Sequence, residues 1–136
     1  MRRAALLFIK KDGKILFVHR APHRTSIPNR WSLPSETLIA DEKIEEAVKR
    51  CAWHELALRV SLDKVVHEHH YKDDKEDKIL YFCLCDINKG NVAIQHTGEL
   101  DDFVWLSIDD FLNKFEDSQI GHGLQYVRKN RDKFDL

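Results

Sequence analysis

The sequence predicts an α/β (α+β) domain, on three observations. Asp12-Gly13, a strong hairpin dipeptide, separates two short apolar runs. Ile44, Ala47, Val48, Cys51, Ala52 and Leu56 recur at helical spacing and form one apolar stripe. Between Lys78 and Asp86, apolar residues occupy both faces of an extended run, the pattern of a strand buried on two sides. At 136 residues the chain can bury a core without disulfides and reads as one domain, 1–136.

Each element follows from local chemistry. Ala4–Ile9 and Lys14–Arg20 flank the hairpin dipeptide as paired strands. Trp31-Ser32-Leu33-Pro34 is a short apolar stretch closed by proline, a strand end entering a loop. Asp41 is the expected N-cap of the first helix, with Glu42, Glu45 and Glu46 near the positive end of its dipole. Val65–Tyr71 and Lys78–Asp86 read as strands joined by the charged loop from Lys72 to Asp77. In the second of these, Ile79, Tyr81, Cys83 and Cys85 face one way, and Leu80, Phe82 and Leu84 the other. Asn91–Gln95 is a candidate short strand. Ser107 caps a short helix through Leu112. After Glu116, Ile120, Leu124, Tyr126, Val127 and Arg128 indicate a closing helix with a basic outer face.

Composition narrows the function classes. A formal net charge of −1 gives no broad basic surface for duplex nucleic acid. No apolar run approaches a membrane span, and the N-terminus lacks the layout of a secretory signal. Cys83 and Cys85 share a strand face and are poorly placed to bridge each other; with Cys51 they read as core packing in a reducing compartment, so a cytoplasmic location is expected.

The helix has a second face. Glu46 and Arg50 are neighbours one turn apart, as are Arg50 and His54, and Glu55 lies one residue further round. An amphipathic helix with a solvated charged face would account for this pattern. The surrounding stretch, WSLPSETLIADEKIEEAVKRCAWHELAL from Trp31 to Leu58, also resembles the Nudix box. Without gaps, Glu42 fills the first Glu position, Arg50 the Arg, Ala52 the small apolar slot, Glu55 the last Glu and Leu58 the final apolar position. Leu33-Pro34 matches the Leu-Pro before the box, and Glu99–Phe111 resembles the late acidic loop, Trp-containing strand and short helix of the family. The departures are Ser35 and Glu36 for two glycines, Cys51 and His54 for two of three glutamates, and Ala57 for the terminal glycine.

This resemblance spans Ala4 to Leu112 and implies a mixed β-sheet sandwiched between α-helices. It implies metal-dependent cleavage of a diphosphate linkage in a nucleoside diphosphate derivative, with Mg²⁺ or Mn²⁺ as cofactor. Glu55 would be the first metal ligand, assisted by Glu99, Glu36 or His54, while Arg50 orients the acids. Mg²⁺ prefers hard oxygen ligands, so the loss of two glutamates predicts weak or absent hydrolysis with that ion. The alternative is a catalytically silent Nudix-fold module that binds a nucleotide or a protein.

Arg20 resembles the arginine that contacts substrate phosphate in some relatives, and His23, Arg24 and Arg30 add phosphate-binding candidates on the loop before the box. The run from Arg20 to Trp31 also resembles isopentenyl-diphosphate isomerase, a Nudix relative. Ser32-Leu33-Pro34 stands where that enzyme's cysteine would be, which disfavours isomerase chemistry. His67 and His69 share a strand face at a spacing compatible with two metal ligands, with His96 a conceivable third; paired surface histidines without metal are the favoured reading. A small-molecule diphosphate partner is expected, and a homodimer stays open.

Overall fold

A computed structural model of the chain describes residues 1–24, 27–95 and 98–136. Its sheet is organised around β1 (Arg2–Lys11), whose run from Ala4 to Ile9 is buried throughout. On one side β6 (Asp77–Lys89) runs parallel to β1, in register from Arg2↔Lys78 to Lys10↔Asp86. On the other side β1 has two partners in succession. β2 (Lys14–Arg20) pairs only with its far end, at Lys10 and Lys11, and β4 (Ser35–Thr37) pairs with Ala4–Leu6. β2 pairs onward with β3 (Trp31–Ser32) and β7 (Leu100–Leu106), and β5 (Arg59–Lys72) lies outside β6. The hairpin turn at Asp12-Gly13 puts both residues at positive φ (51° and 77°), as a turn matched to strand twist requires.

Helices cover both faces. α1 (Ile44–Leu56) buries Ala47, Val48, Cys51, Ala52 and Leu56 against Ala5, Leu7, Ile9, Cys83 and Cys85. The opposite face carries Leu6, Phe8, Phe17, Phe82 and Leu84, which pack with Phe111 of α2 (Ile108–Lys114) and Leu124 and Val127 of α3 (His122–Lys129). Phe17 stacks on Phe111 with ring centroids 3.8 Å apart. The architecture is therefore a mixed sheet between helices, as the sequence predicts. No helix among the described residues is long and apolar enough to cross a membrane.

Several local expectations change. Lys43, not Asp41, stands at the N-cap of α1 and makes no side-chain cap bond; Glu42 instead accepts from the Ile39 N–H at 3.0 Å. Ser35 and Glu36 are not in a loop but in β4, where extended backbone suits side-chain-bearing residues. β5 begins at Arg59 rather than Val65, and three register shifts in its pairing with β6 blur the alternation that would have signalled it. Asn91–Gln95 forms no strand. Its Ala93 and Gln95 N–H groups donate to the carbonyls of Leu56 and Glu55, satisfying the end of α1. Arg128 turns inward, donating to the Leu112 carbonyl at 2.6 Å and to the Phe115 carbonyl beyond α2, while pairing with Asp117. Ser107 does cap α2, accepting from the Asp110 N–H at 3.1 Å.

α1 ends on Ala57, held in the left-handed region at φ 55°, ψ 31°. A side-chain-bearing residue there costs roughly 1–2 kcal/mol, part of which glycine returns as greater freedom of the unfolded chain. Ala57→Gly is expected to stabilise the protein by about 1 kcal/mol, raising Tm by about 3–5 °C in a thermal melt. An unchanged or lower Tm would show that this turn carries no strain.

Candidate functional site

The divided pairing of β1 leaves a cleft of about 260 Å³ between β2 and β4. Ala4 and Leu6 of β1, Val18 and Arg20 of β2, and Glu36 of β4 line it, with Glu55 and Glu99 reaching in from α1 and the loop before β7. Gly121–Leu124, at the start of α3, forms the opposite wall.

Glu55 sits in the last turn of α1 and is 6% exposed. Burial raises its pKa most; the charges of Glu36 and Glu99 and a hydrogen bond with the Glu99 carboxyl raise it further, and Arg24 opposes them. The result is a pKa of about 8, so this acid holds its proton at neutral pH. A carboxyl pair joined by a hydrogen bond shares one proton, which is how two like groups coexist in a poorly solvated space.

The arginines are aimed by backbone irregularity. In the β2–β7 ladder the register shifts between His19 and Arg20, and His19 Nδ1 lies 2.6 Å from Asp101 Oδ1 beside that shift. Such a shift re-aims the following side chain, and Arg20 enters the cleft, 9% exposed, with Nε donating to the Ile27 carbonyl at 2.9 Å. Desolvation and the neighbouring Arg24 charge lower the Arg20 pKa, while Glu55 and Glu99 raise it. Arg24 reaches Glu99 at 3.8 Å.

Arg50 serves a different purpose. Its guanidinium grips Glu42 twice, at 2.8 and 3.1 Å, donates to the Thr37 carbonyl at 3.0 Å and lies 3.3 Å from Glu36. It ties α1 to β4 and to the connection between them, and its hydrogen bond is the largest cause lowering the Glu42 pKa. Of the residues singled out in the sequence, Glu36, Glu55, Glu99, Arg20 and Arg24 meet in the cleft. His54 is exposed on α1 and does not line it. Arg30 donates instead to the Ile120 carbonyl at 3.3 Å, and His23 lies exposed on its loop. His67 and His69 engage Tyr126: His67 Nε2 is 2.7 Å from its hydroxyl, and His69 stacks on its ring at 3.9 Å. His96 lies outside the described residues. Arg2, Lys78 and His122 also line the cleft, and no sequence motif marks them.

The sequence profile of the NUDIX domain matches residues 1–125. The chain belongs to the Nudix family. It is 24% identical over 114 residues to an Escherichia coli protein named nucleoside triphosphatase NudI, covering 77% of this chain and 81% of that one. Its fold matches a Nudix hydrolase from Nitrosomonas europaea at a TM-score of 0.76, with 15% identity over 96% of this chain and 88% of the other. A MutT protein from Methanosarcina mazei aligns at a TM-score of 0.73, with 16% identity over 96% and 94% of the two chains. In this Nudix chain the fork in the sheet, the end of α1 and the loop before β7 jointly build the cleft.

The Glu55 environment predicts a pH signature. In the unfolded chain Glu55 would lose its proton near pH ~4.3, and in the folded protein near pH 8. Between those values the folded state binds the extra proton, so this residue's contribution to stability falls as pH rises, with the loss complete above pH 8. Glu55→Gln is therefore expected to gain Tm over the parent protein progressively from pH 5 to pH 9. A Tm difference independent of pH would mean that Glu55 titrates in its ordinary range.

Proposed function

We propose that this chain is a Nudix-type hydrolase that cleaves a diphosphate linkage in a small nucleoside diphosphate derivative, acting in the cytoplasm as one domain. The observation that carries the reading is the convergence of Glu36, Glu55 and Glu99 with Arg20 and Arg24 in one cleft. Diphosphate cleavage needs acids to organise charge at the reacting end and arginines to hold the phosphates, and bidentate guanidinium contacts suit the second task.

The donor set fits one hard cation better than a preformed cage. Glu55 and Glu99 are close enough to share a hydrogen bond, so an ion can replace their proton, and Glu36 adds negative charge nearby. Among the described residues no three His, Cys, Asp or Glu side chains are grouped to hold a metal. The remaining positions would fall to water and substrate phosphate oxygens, the usual habit of Mg²⁺ and compatible with Mn²⁺. A bound divalent cation would neutralise phosphate charge and acidify an attacking water. Glu55 and Glu99 would hold it; Arg20 and Arg24 would bind and orient the diphosphate; Arg50 would keep Glu36 turned to the cleft. The alternative is a silent nucleotide- or protein-binding module, and the protonated Glu55 favours it to the extent that no cation displaces the proton.

The two readings separate on phosphate release from nucleoside di- and triphosphates, dinucleoside polyphosphates and nucleotide sugars, with Mg²⁺ and then Mn²⁺. A hydrolase should lose more than about 100-fold in turnover as Glu55→Gln, because even outer-shell partners of a metal are worth 10–100-fold. Turnover no higher than in that variant would favour the binding module; thermal stabilisation by the same compounds, lost in Arg20→Ala, would then identify its ligand.

A further inference from the structure

The cleft does not end at its acids. Arg2, Ala4 and Leu6 share one face of β1, since side chains alternate along a strand. Lys78 and Leu80 of β6 stand beside Arg2 and Ala4 in register on the same face. Ala4, Leu6 and Leu80 make an apolar floor, and Arg2 and Lys78 close its far end. Leu6 is four positions along from Arg2, so the floor runs about 13 Å along the strand.

Arg2 and Lys78 are direct cross-strand partners. Like charges placed this way repel and destabilise a sheet. Lys78 is also held in place: its side chain is 14% exposed, and its ammonium lies 5.2 Å from the Tyr71 ring centroid and 3.5 Å from the exposed Glu76 carboxylate. Asp77, on the opposite face by alternation, is engaged by His70 at 2.6 Å. No acid among the described residues pairs with Arg2. The strand ends thus concentrate positive charge at a cavity mouth, a local cost that an anion would relieve.

We propose that this end of the cleft is a second anion subsite, and that the preferred ligand carries a further phosphate on the far side of its nucleoside from the diphosphate. The inference rests on the diphosphate reading of the Glu55–Arg20 end. The apolar floor between the two charged ends favours a nucleoside there over a bare polyphosphate, whose charges would lie on Ala4, Leu6 and Leu80.

Two ligand pairs test it, NADP⁺ against NAD⁺ and coenzyme A against its 3′-dephospho form, because each pair shares a diphosphate and differs by one ribose phosphate. Calorimetric titration with Mg²⁺ in the cold should show the phosphorylated member binding roughly tenfold more tightly in at least one pair. Arg2→Gln and Lys78→Met should each reduce that preference, leaving the other member's Kd within about twofold. Glu76→Gln, which frees Lys78, should widen it. Equal affinity within both pairs, or a preference surviving in the Arg2→Gln/Lys78→Met double variant, would overturn the subsite. If the unphosphorylated members still bind and lose affinity as Arg20→Ala, the diphosphate reading stands without the subsite. Binding of no member would overturn both.

Discussion

β1 cannot keep a single partner along its whole β2-facing edge, and the cleft exists because of that. β2 pairs with it only at Lys10 and Lys11, next to the hairpin, and β4 takes over at Ala4–Leu6. A continuous β1–β2 ladder would close the sheet and bury Arg20 against it. The division instead opens a space bordered by β1, β2 and β4, so the strand side chains facing it inherit the rigidity of backbone hydrogen bonding. The same division depends on the β1–β6 pairing being long and parallel. That ladder stays in unbroken register from Arg2 to Lys10, through the region where the other edge of β1 changes partner.

Within that space the energetics run against the scaffold. Glu55 is buried by the packing that makes the end of α1 stable: the Ala93 and Gln95 N–H groups fasten the helix end, and Leu56 beside Glu55 is fully buried. A carboxyl in that position is disfavoured as an anion first by desolvation and then by Glu36 and Glu99. Nothing about helix formation requires an acid there. An acid in a place where its charge weakens the fold is the pattern expected of a functional group, and the arginines beside it supply only partial compensation.

The fold was legible in the sequence wherever one element declared itself locally. The Asp12-Gly13 turn, the stripe on α1, the Ser107 cap and the two-faced β6 run each reflect short-range chemistry. Legibility stopped where the deciding partner lay far along the chain. Ser35 and Glu36 read as the loop entered after Pro34 because β1, which turns them into a strand, is some thirty residues away. Arg30 read as a phosphate-binding candidate and Arg128 as an outward cation, whereas distant carbonyls at Ile120, Leu112 and Phe115 draw them in. The acidic half of the cleft was visible because Glu55 and Glu99 sit in a recognisable motif and segment. So were Arg20 and Arg24; the far basic end was not, because Arg2 and Lys78 meet only through the parallel register of β1 and β6.

Arg50 sorts the acids between structure and site. Two of its contacts bind Glu42, which is kept ionised and removed from the cleft as part of the joint between α1 and β4. Its third acidic contact, with Glu36, is longer and comes from the strand that lines the cavity. Glu36 therefore belongs to both sets: steadied from behind by a cation, yet close enough to Glu55 to raise its pKa. That arrangement lets one arginine transmit the position of α1 to the cleft wall. A shift of the helix would move Glu55 directly and Glu36 through Arg50, so the two acids would move together rather than apart.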